Sequence, residues 1–242
     1  MKLVNILLSI VIVTGITSCG QKGQKAADDK DDGWVTLFDG TSTAGWRGYS
    51  KEAFPEKGWV IEDGTLRCIG SGAGEAGGEG GDIIYDRKFG NFELSLEWKI
   101  SEGGNSGIFF LAQEIPGEPI YKSAPEMQIL DNDKHPDAIL GVDGNRKASS
   151  LYDLIPAVPQ NTKPVGEWNQ VGILVYQGTV VFKSNGANVV EFHLWTDEWK
   201  KMVENSKFKD WEWFVNPAKE GYIGLQDHGN DVWFRNIKIK EL

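Results

Sequence analysis

Cysteine is scarce in this 242-residue chain, which carries only Cys19 and Cys68. Cys19 lies in a leader-like segment ahead of the folded part, so Cys68 stands alone in the domain and no internal disulfide can form. Cys68 alternates with Leu66 in a strand-like run and is expected to be a small core residue, not a nucleophile. Basic residues are outnumbered, 25 Lys and Arg against 35 Asp and Glu, for a net charge of −10. A chain of that sign has no electrostatic footprint for nucleic acid or an anionic lipid surface. Histidine is limited to 3 residues, and no run of His and carboxylates has firm metal-ligand spacing. Internal repeats and internal linkers are also missing. The glycine-rich stretch 70–81 is followed by neither a helix nor a Lys-Ser/Thr pair, which argues against a phosphate cradle.

The one long apolar run, residues 3–16, follows Lys2 and is too short to span a bilayer comfortably. It ends in Gly15-Ile16-Thr17-Ser18-Cys19, which resembles a bacterial lipobox. Residues 1–18 are therefore expected to be a lipoprotein signal peptide, with Cys19 acylated and the protein lipid-anchored in the cell envelope. Residues 19–32 are rich in Lys, Gln, Ala and Asp without apolar periodicity, as a flexible tether would be. Residues 33–242 form a single domain.

That domain is a succession of short strands bounded by turn signals. Trp59-Val60-Ile61-Glu62 and Thr65-Leu66-Arg67-Cys68-Ile69 flank Asp63-Gly64, the dipeptide a type I′ hairpin requires. Phe92-Glu93-Leu94-Ser95-Leu96-Glu97-Trp98-Lys99-Ile100 alternates without fault, as a half-buried antiparallel strand does. Residues 196–204 break the pattern. Thr196 is a helix N-cap, Asp197 and Glu198 follow, and Trp199, Met202 and Val203 recur at helical spacing. The fold class expected is all-β, an antiparallel β-sandwich of jelly-roll, concanavalin A-like type with one short helix.

Within this pattern Glu126-Met127-Gln128-Ile129-Leu130-Asp131 combines an apolar face with a polar one. Glu126 and Gln128 share a strand face, and Met127 and Ile129 share the other. Asp131 joins Glu126 only if a β-bulge shifts the phase. The bland alternative is an edge strand with a solvated polar face.

Several phrases, in order, carry a more specific signal: Leu37-Phe38-Asp39-Gly40 with Gly45-Trp46, Trp59 through Gly64, Asn105-Ser106-Gly107-Ile108, Glu126 through Asp131, Gly166-Glu167-Trp168-Asn169, Gly224-Leu225-Gln226-Asp227-His228-Gly229 and Phe234-Arg235-Asn236-Ile237. Together they resemble the 3-keto-disaccharide hydrolase domain family, across essentially the whole domain. The resemblance implies a jelly roll related in fold to laminarinase-type glycosidases. It also implies action on glycosides already oxidised to a ketone at C3, and so an upstream sugar 3-dehydrogenase. A 3-keto sugar has an acidified C2 proton, and its cleavage by elimination needs a base, an enolate-stabilising group and an acid for the departing oxygen.

Glu126 is the expected base and His228 an acid or base, with Asp131 a second carboxylate if the bulge exists. Gln128, Gln226, Asp227 and Asn105 are expected to bind sugar hydroxyls, although Asn105 is equally usual in a turn and Asp227 could cap one. Arg235 either polarises the ketone or pairs with a structural carboxylate. Trp46 and the group Trp195, Trp199, Trp211 and Trp213 are stacking platforms or core. Lys207, in Ser206-Lys207-Phe208, matches a family phrase. The involvement of a divalent metal stays open. Two other functions are compatible with the chain. A direct retaining glycosidase would need two carboxylates about 5 to 5.5 Å apart, and a non-catalytic carbohydrate-binding lipoprotein would need tryptophans instead.

Overall fold

Phe92–Ile100 (β6), the strand with the most regular alternation, lies in the middle of the larger sheet, with Phe92, Leu94, Leu96, Trp98 and Ile100 all buried. The computed structural model describes residues 32–72 and 78–242. The expected signal peptide, the acylated Cys19 and nearly all of the tether lie outside the described residues. Before β6 come β1 (Trp34–Phe38), β2 (Trp46–Gly48), β3 (Trp59–Glu62), β4 (Thr65–Cys68) and β5 (Ile83–Tyr85). After it come β7 (Asn105–Ala112), β8 (Glu126–Leu130), β9 (Asn169–Tyr176) and β10 (Thr179–Ser184). β11 (Ala187–His193), β12 (Tyr222–Leu225) and β13 (Val232–Glu241) complete the set.

The strands form two antiparallel sheets of jelly-roll type. One runs β11-β10-β9-β6-β13-β4-β3, with β1 also paired to β13, and the other runs β2-β5-β12-β7-β8. Between them lies a core that includes Leu66, Trp98, Phe110, Met127, Ile129, Phe182 and Phe234. Removing each large apolar side chain from water contributes about 1.5–3 kcal/mol. Cys68 is fully buried there, and burial pushes its thiol pKa up, so the expectation of a core cysteine is met. Asp63 and Gly64 both have positive φ, 49° and 72°, which is the twist a type I′ turn supplies.

The expected helix is α1 (Asp197–Glu204), where the Thr196 hydroxyl accepts the Trp199 N–H at 3.1 Å and Trp199 and Val203 are buried. The expectation of a single helix is corrected by α2 (Glu212–Val215), a one-turn helix with no side-chain cap. Tertiary packing holds it: Phe214 stacks on Trp199 at 5.8 Å, and the Trp199 indole donates to the Val215 carbonyl at 3.0 Å. Among the described residues no helix is long and apolar enough to cross a membrane.

Strand register decides what reaches the site. Pairing of β7 with β8 runs in unbroken register from Phe109–Glu126 to Asn105–Leu130, so no bulge brings Asp131 beside Glu126. A bulge falls instead in β13, where Asn236 adopts φ 52° and the register with β6 shifts between Arg235 and Lys238. β8 is the last strand of its sheet, but its outer edge is covered. Gln128 exchanges backbone bonds with Ser149 and Ser150, and Tyr152 N–H donates to the Glu126 carbonyl at 3.1 Å. The solvated edge strand is thereby replaced by a buried one.

Candidate active site

The alternation of β8 sends Met127 and Ile129 into the core and presents Glu126 and Gln128 on the opposite face. Gln128 lies opposite Gly107 of β7, and the Gln226 N–H donates to the Gly107 carbonyl at 3.0 Å just beyond β12. A row of Gln226, Gly107 and Gln128 thus crosses three strands. Glu126 is 8% exposed and lies over Gly107, where the missing side chain leaves room for it. Asn105 opens β7 instead of occupying a turn, and its Oδ1 accepts from Gln128 Nε2 at 3.1 Å. Above this row is a cavity of about 270 Å³, lined by Asn105, Glu126, Gln128, Gln226 and His228 together with Tyr121, Ala124, Tyr152, Lys207, Phe208, Trp211 and Phe214. The Gln226 Oε1 is a buried acceptor with no hydrogen-bond partner among the described residues.

One wall is aromatic. Trp211 packs against Phe208 at 5.0 Å and Tyr121 at 5.6 Å, and Phe208 stacks on Phe214 at 4.3 Å. Lys122 places its ammonium 4.0 Å from the Trp211 ring centroid. A charged network stands behind Tyr152 and Lys207. Tyr152 donates to Asp137 at 2.8 Å, Arg146 bonds Asp137 at 3.0 Å and also Asp153, and Lys207 Nζ stands 3.8 Å from Asp153 and 4.1 Å from the Tyr152 ring centroid. Burial, then the bond to Asp137, pushes the Tyr152 pKa up. Burial lowers the Lys207 pKa against the pull of Asp153.

His228 meets His135 edge to face, with ring centroids 6.1 Å apart. The His135 Nδ1 accepts the Asp137 N–H at 3.1 Å, which fixes its proton on Nε2. Burial lowers its pKa, and the nearby His228 adds to this. Among the described residues no group of three or more His, Cys, Asp or Glu side chains is placed to hold a metal ion.

Of the residues singled out by sequence, Glu126, Gln128, Asn105, Gln226, His228 and Lys207 converge on the cavity. Others do not. The Asp131 carboxylate accepts the N–H groups of Gly103 (2.7 Å), Asp133 (3.0 Å) and Lys134 (3.3 Å), so it fastens loops instead. Asp227 points away between its two cavity-lining neighbours and accepts from Gly80, Gly81 and Gly229, holding the described end of the glycine-rich loop. The β13 bulge turns Arg235 and Asn236 outward together, and both bond Glu97. Trp46 is core, donating to the Leu37 carbonyl at 2.8 Å. Trp199 is core as well, and Trp195 and Trp213 lie off the cavity, which leaves Trp211 as the platform among the five. Sequence reasoning missed Tyr121, Tyr152, Phe208 and His135. Three sit on irregular segments and Tyr121 on the one-turn 3-10 helix Ile120–Lys122, where no periodicity marks a facing side, and only the family phrase around Lys207 touched one of them.

A family model described as a 3-keto-alpha-glucoside-1,2-lyase-like domain matches residues 33–240. A curated Bacteroides thetaiotaomicron protein named 3-keto-disaccharide hydrolase is 56% identical over 230 residues, covering 87% of this chain and 79% of its own. A solved Parabacteroides distasonis structure, described as a candidate glycosyl hydrolase, has a TM-score of 0.75 at 28% identity and covers 87% of this chain and 94% of its own. A second structure from that organism, described in the same terms, has a TM-score of 0.67 at 26% identity, with coverages of 86% and 99%.

Proposed function

The chain belongs to the 3-keto-alpha-glucoside-1,2-lyase-like domain family, and on that premise we propose that it cleaves 3-keto glycosides or disaccharides by elimination at C1–C2 followed by hydration. One observation carries the mechanism. Among the described residues, Glu126 is the only carboxylate lining the cavity, and it shares that cavity with His228 and Lys207. Direct retention by double displacement needs a pair of carboxylates about 5 to 5.5 Å apart. A single carboxylate is what proton abstraction beside a ketone requires.

Glu126 takes the C2 proton, and the C–H pair becomes the C2=C3 bond as charge moves to O3. When C3=O re-forms, C1=C2 forms and the C1–O bond breaks. His228, as imidazolium, gives the departing oxygen its proton. Water then adds at C1, losing a proton to His228 while Glu126 returns one to C2, so both groups end as they began. The buried Gln226 Oε1 and the Asn105 and Gln128 amides suit ring hydroxyls. Trp211 and Tyr121 offer apolar faces to a pyranose. A cavity near 270 Å³, just under the roughly 300–1,000 Å³ of drug-sized ligand pockets, suits one sugar ring.

The substrate ketone implies an upstream dehydrogenase that oxidises C3. The lipobox-like Gly15-Ile16-Thr17-Ser18-Cys19 supports the further proposal of a lipid anchor on Cys19 in the cell envelope, and Cys19→Ala should release the enzyme from the membrane. The decisive test incubates the protein with a 3-keto glucoside and with the parent glucoside in D₂O. We expect cleavage of the ketone alone, with deuterium at C2 because the proton held by Glu126 exchanges before its return. Glu126→Gln should lose about 10²–10⁴ in rate while still binding. Cleavage of the parent glucoside, or freshly released product that keeps its C2 hydrogen, would overturn the mechanism.

A further inference from the structure

We propose that Lys207 is the catalytic cation of this site: its ammonium meets O3 of the bound ketone and holds the negative charge that gathers there when Glu126 removes the C2 proton. This deepens the function proposed above and rests on it, since only a C3 ketone creates that charge.

Lys207 is the only Lys or Arg lining the cavity among the described residues. Its surroundings keep the charge available. Asp153, the nearest carboxylate, bonds Arg146 through Oδ1 and leaves Oδ2 at 3.8 Å from Nζ, beyond hydrogen-bond length. Arg146 also answers Asp137, which takes the Tyr152 hydroxyl. Around Nζ stand the rings of Tyr152 at 4.1 Å and Phe208 at 5.2 Å, which attract a cation without occupying its N–H groups. The donors of Lys207 are therefore left for a ligand oxygen. The main chain beneath is held as well. The Ser206 hydroxyl donates to the Val203 carbonyl at 2.7 Å and accepts the Phe208 N–H at 3.1 Å, and Phe208 is stacked on Phe214.

Charge bookkeeping favours this role. Before reaction the cavity holds the Glu126 carboxylate, the Lys207 ammonium and the His228 imidazolium. After proton transfer Glu126 is neutral and the charge sits on O3, so Lys207 remains the counter-charge and the net charge of the cavity is unchanged. A fixed cation in a partly dehydrated site stabilises a developing oxyanion without reorganising at the moment of reaction. Lys207 must be protonated for this. Burial lowers its pKa, with Arg146 in the same sense, and Asp153, Glu126 and Asp137 pull it up from beside Tyr152. Hydrogen exchange at C2, the step that precedes proton donation by His228, should therefore fall as pH rises through a lysine pKa that lies below the ordinary one.

The test compares wild type, Lys207→Met and Lys207→Arg on a 3-keto glucoside, with kcat, KM and C2 deuterium incorporation measured across pH and folding checked by thermal unfolding. Lys207→Met should lose about 10²–10³ in kcat, with KM within a few-fold and deuterium incorporation falling in parallel. Lys207→Arg should recover part of the rate and move the basic limb of the C2-exchange profile to higher pH. An intact kcat with raised KM in Lys207→Met, or a basic limb unmoved in Lys207→Arg, would overturn the role. So would a borohydride-trapped adduct on wild-type Lys207, because the amine would then attack C3 instead of facing O3. A wild type inert toward the ketone would overturn the functional proposal itself, whereas an active wild type with a fully active Lys207→Met overturns only Lys207.

Discussion

The side chain of Glu126 lies across the bare Cα of Gly107 on the neighbouring strand: a methyl on Gly107 would stand 2.7 Å from the Glu126 Cδ and 2.8 Å from its Cγ. Gly107 is buried in mid-strand between Gln128 and Gln226, so the carboxylate is the part that must move. Gly107→Ala should cut kcat about 10²-fold through this displacement. The fold should survive, with overpacking costing about 1–3 kcal/mol. Steady-state kinetics beside a thermal melt would check both halves.

Arg235→Ala should leave turnover unchanged. Its partner Glu97 lies on the outer face of the larger sheet, and the Arg235 side chain is 37% exposed. Loss of such a pair changes stability by about 0.2–1 kcal/mol. A fall in kcat/KM beyond twofold would contradict the placement given above.

Asp131→Ala should behave in the opposite way, affecting stability and not chemistry. Three backbone N–H groups would lose a buried acceptor, at a cost of about 1–3 kcal/mol. Urea unfolding should show the loss, while kcat per folded molecule stays near wild type.

Acid should loosen the segment that carries Tyr121. Glu114 receives both Arg47 nitrogens, at 2.6 and 3.0 Å, and the Ser50 N–H at 2.7 Å, and the bond to Arg47 holds its pKa below the ordinary value. A carboxyl whose folded pKa is depressed adds stability above its unfolded pKa and loses it as pH falls through the folded one. Wild type should therefore lose stability as pH drops below about 4.3, the unperturbed Glu value, and Glu114→Gln should lose less over the same window. Denaturant midpoints at neutral and acid pH give the comparison.

Periodicity in the sequence revealed the strands because alternation is a local property: Phe92 to Ile100 shows its buried face without reference to any partner. Glu126 and Gln128 were legible for the same reason. Asp131 and Arg235 were not, because a bulge is set by how two strands pair. The one that turns Arg235 away is at Asn236, where no residue type announced it. Tyr152 reaches the site only because residues 149–152 pair along the edge of β8, and Trp211 only because Phe208 and Phe214 pack around it. Such long-range contacts leave no imprint on spacing. The short α2 was hidden likewise, having packing in place of a cap.

The division of β8 and its neighbours into two faces has a consequence for evolvability. Met127, Ile129, Ile108, Phe110, Ile223 and Leu225 belong to the core between the sheets, while Asn105, Glu126, Gln128 and Gln226 face the cavity from the same strands or their ends. A library varied only at Asn105, Gln128 and Gln226 would therefore explore new sugar preferences while leaving every inter-sheet contact intact. Those three positions can diversify substrate choice, while the inward-facing positions of the same strands hold the architecture constant.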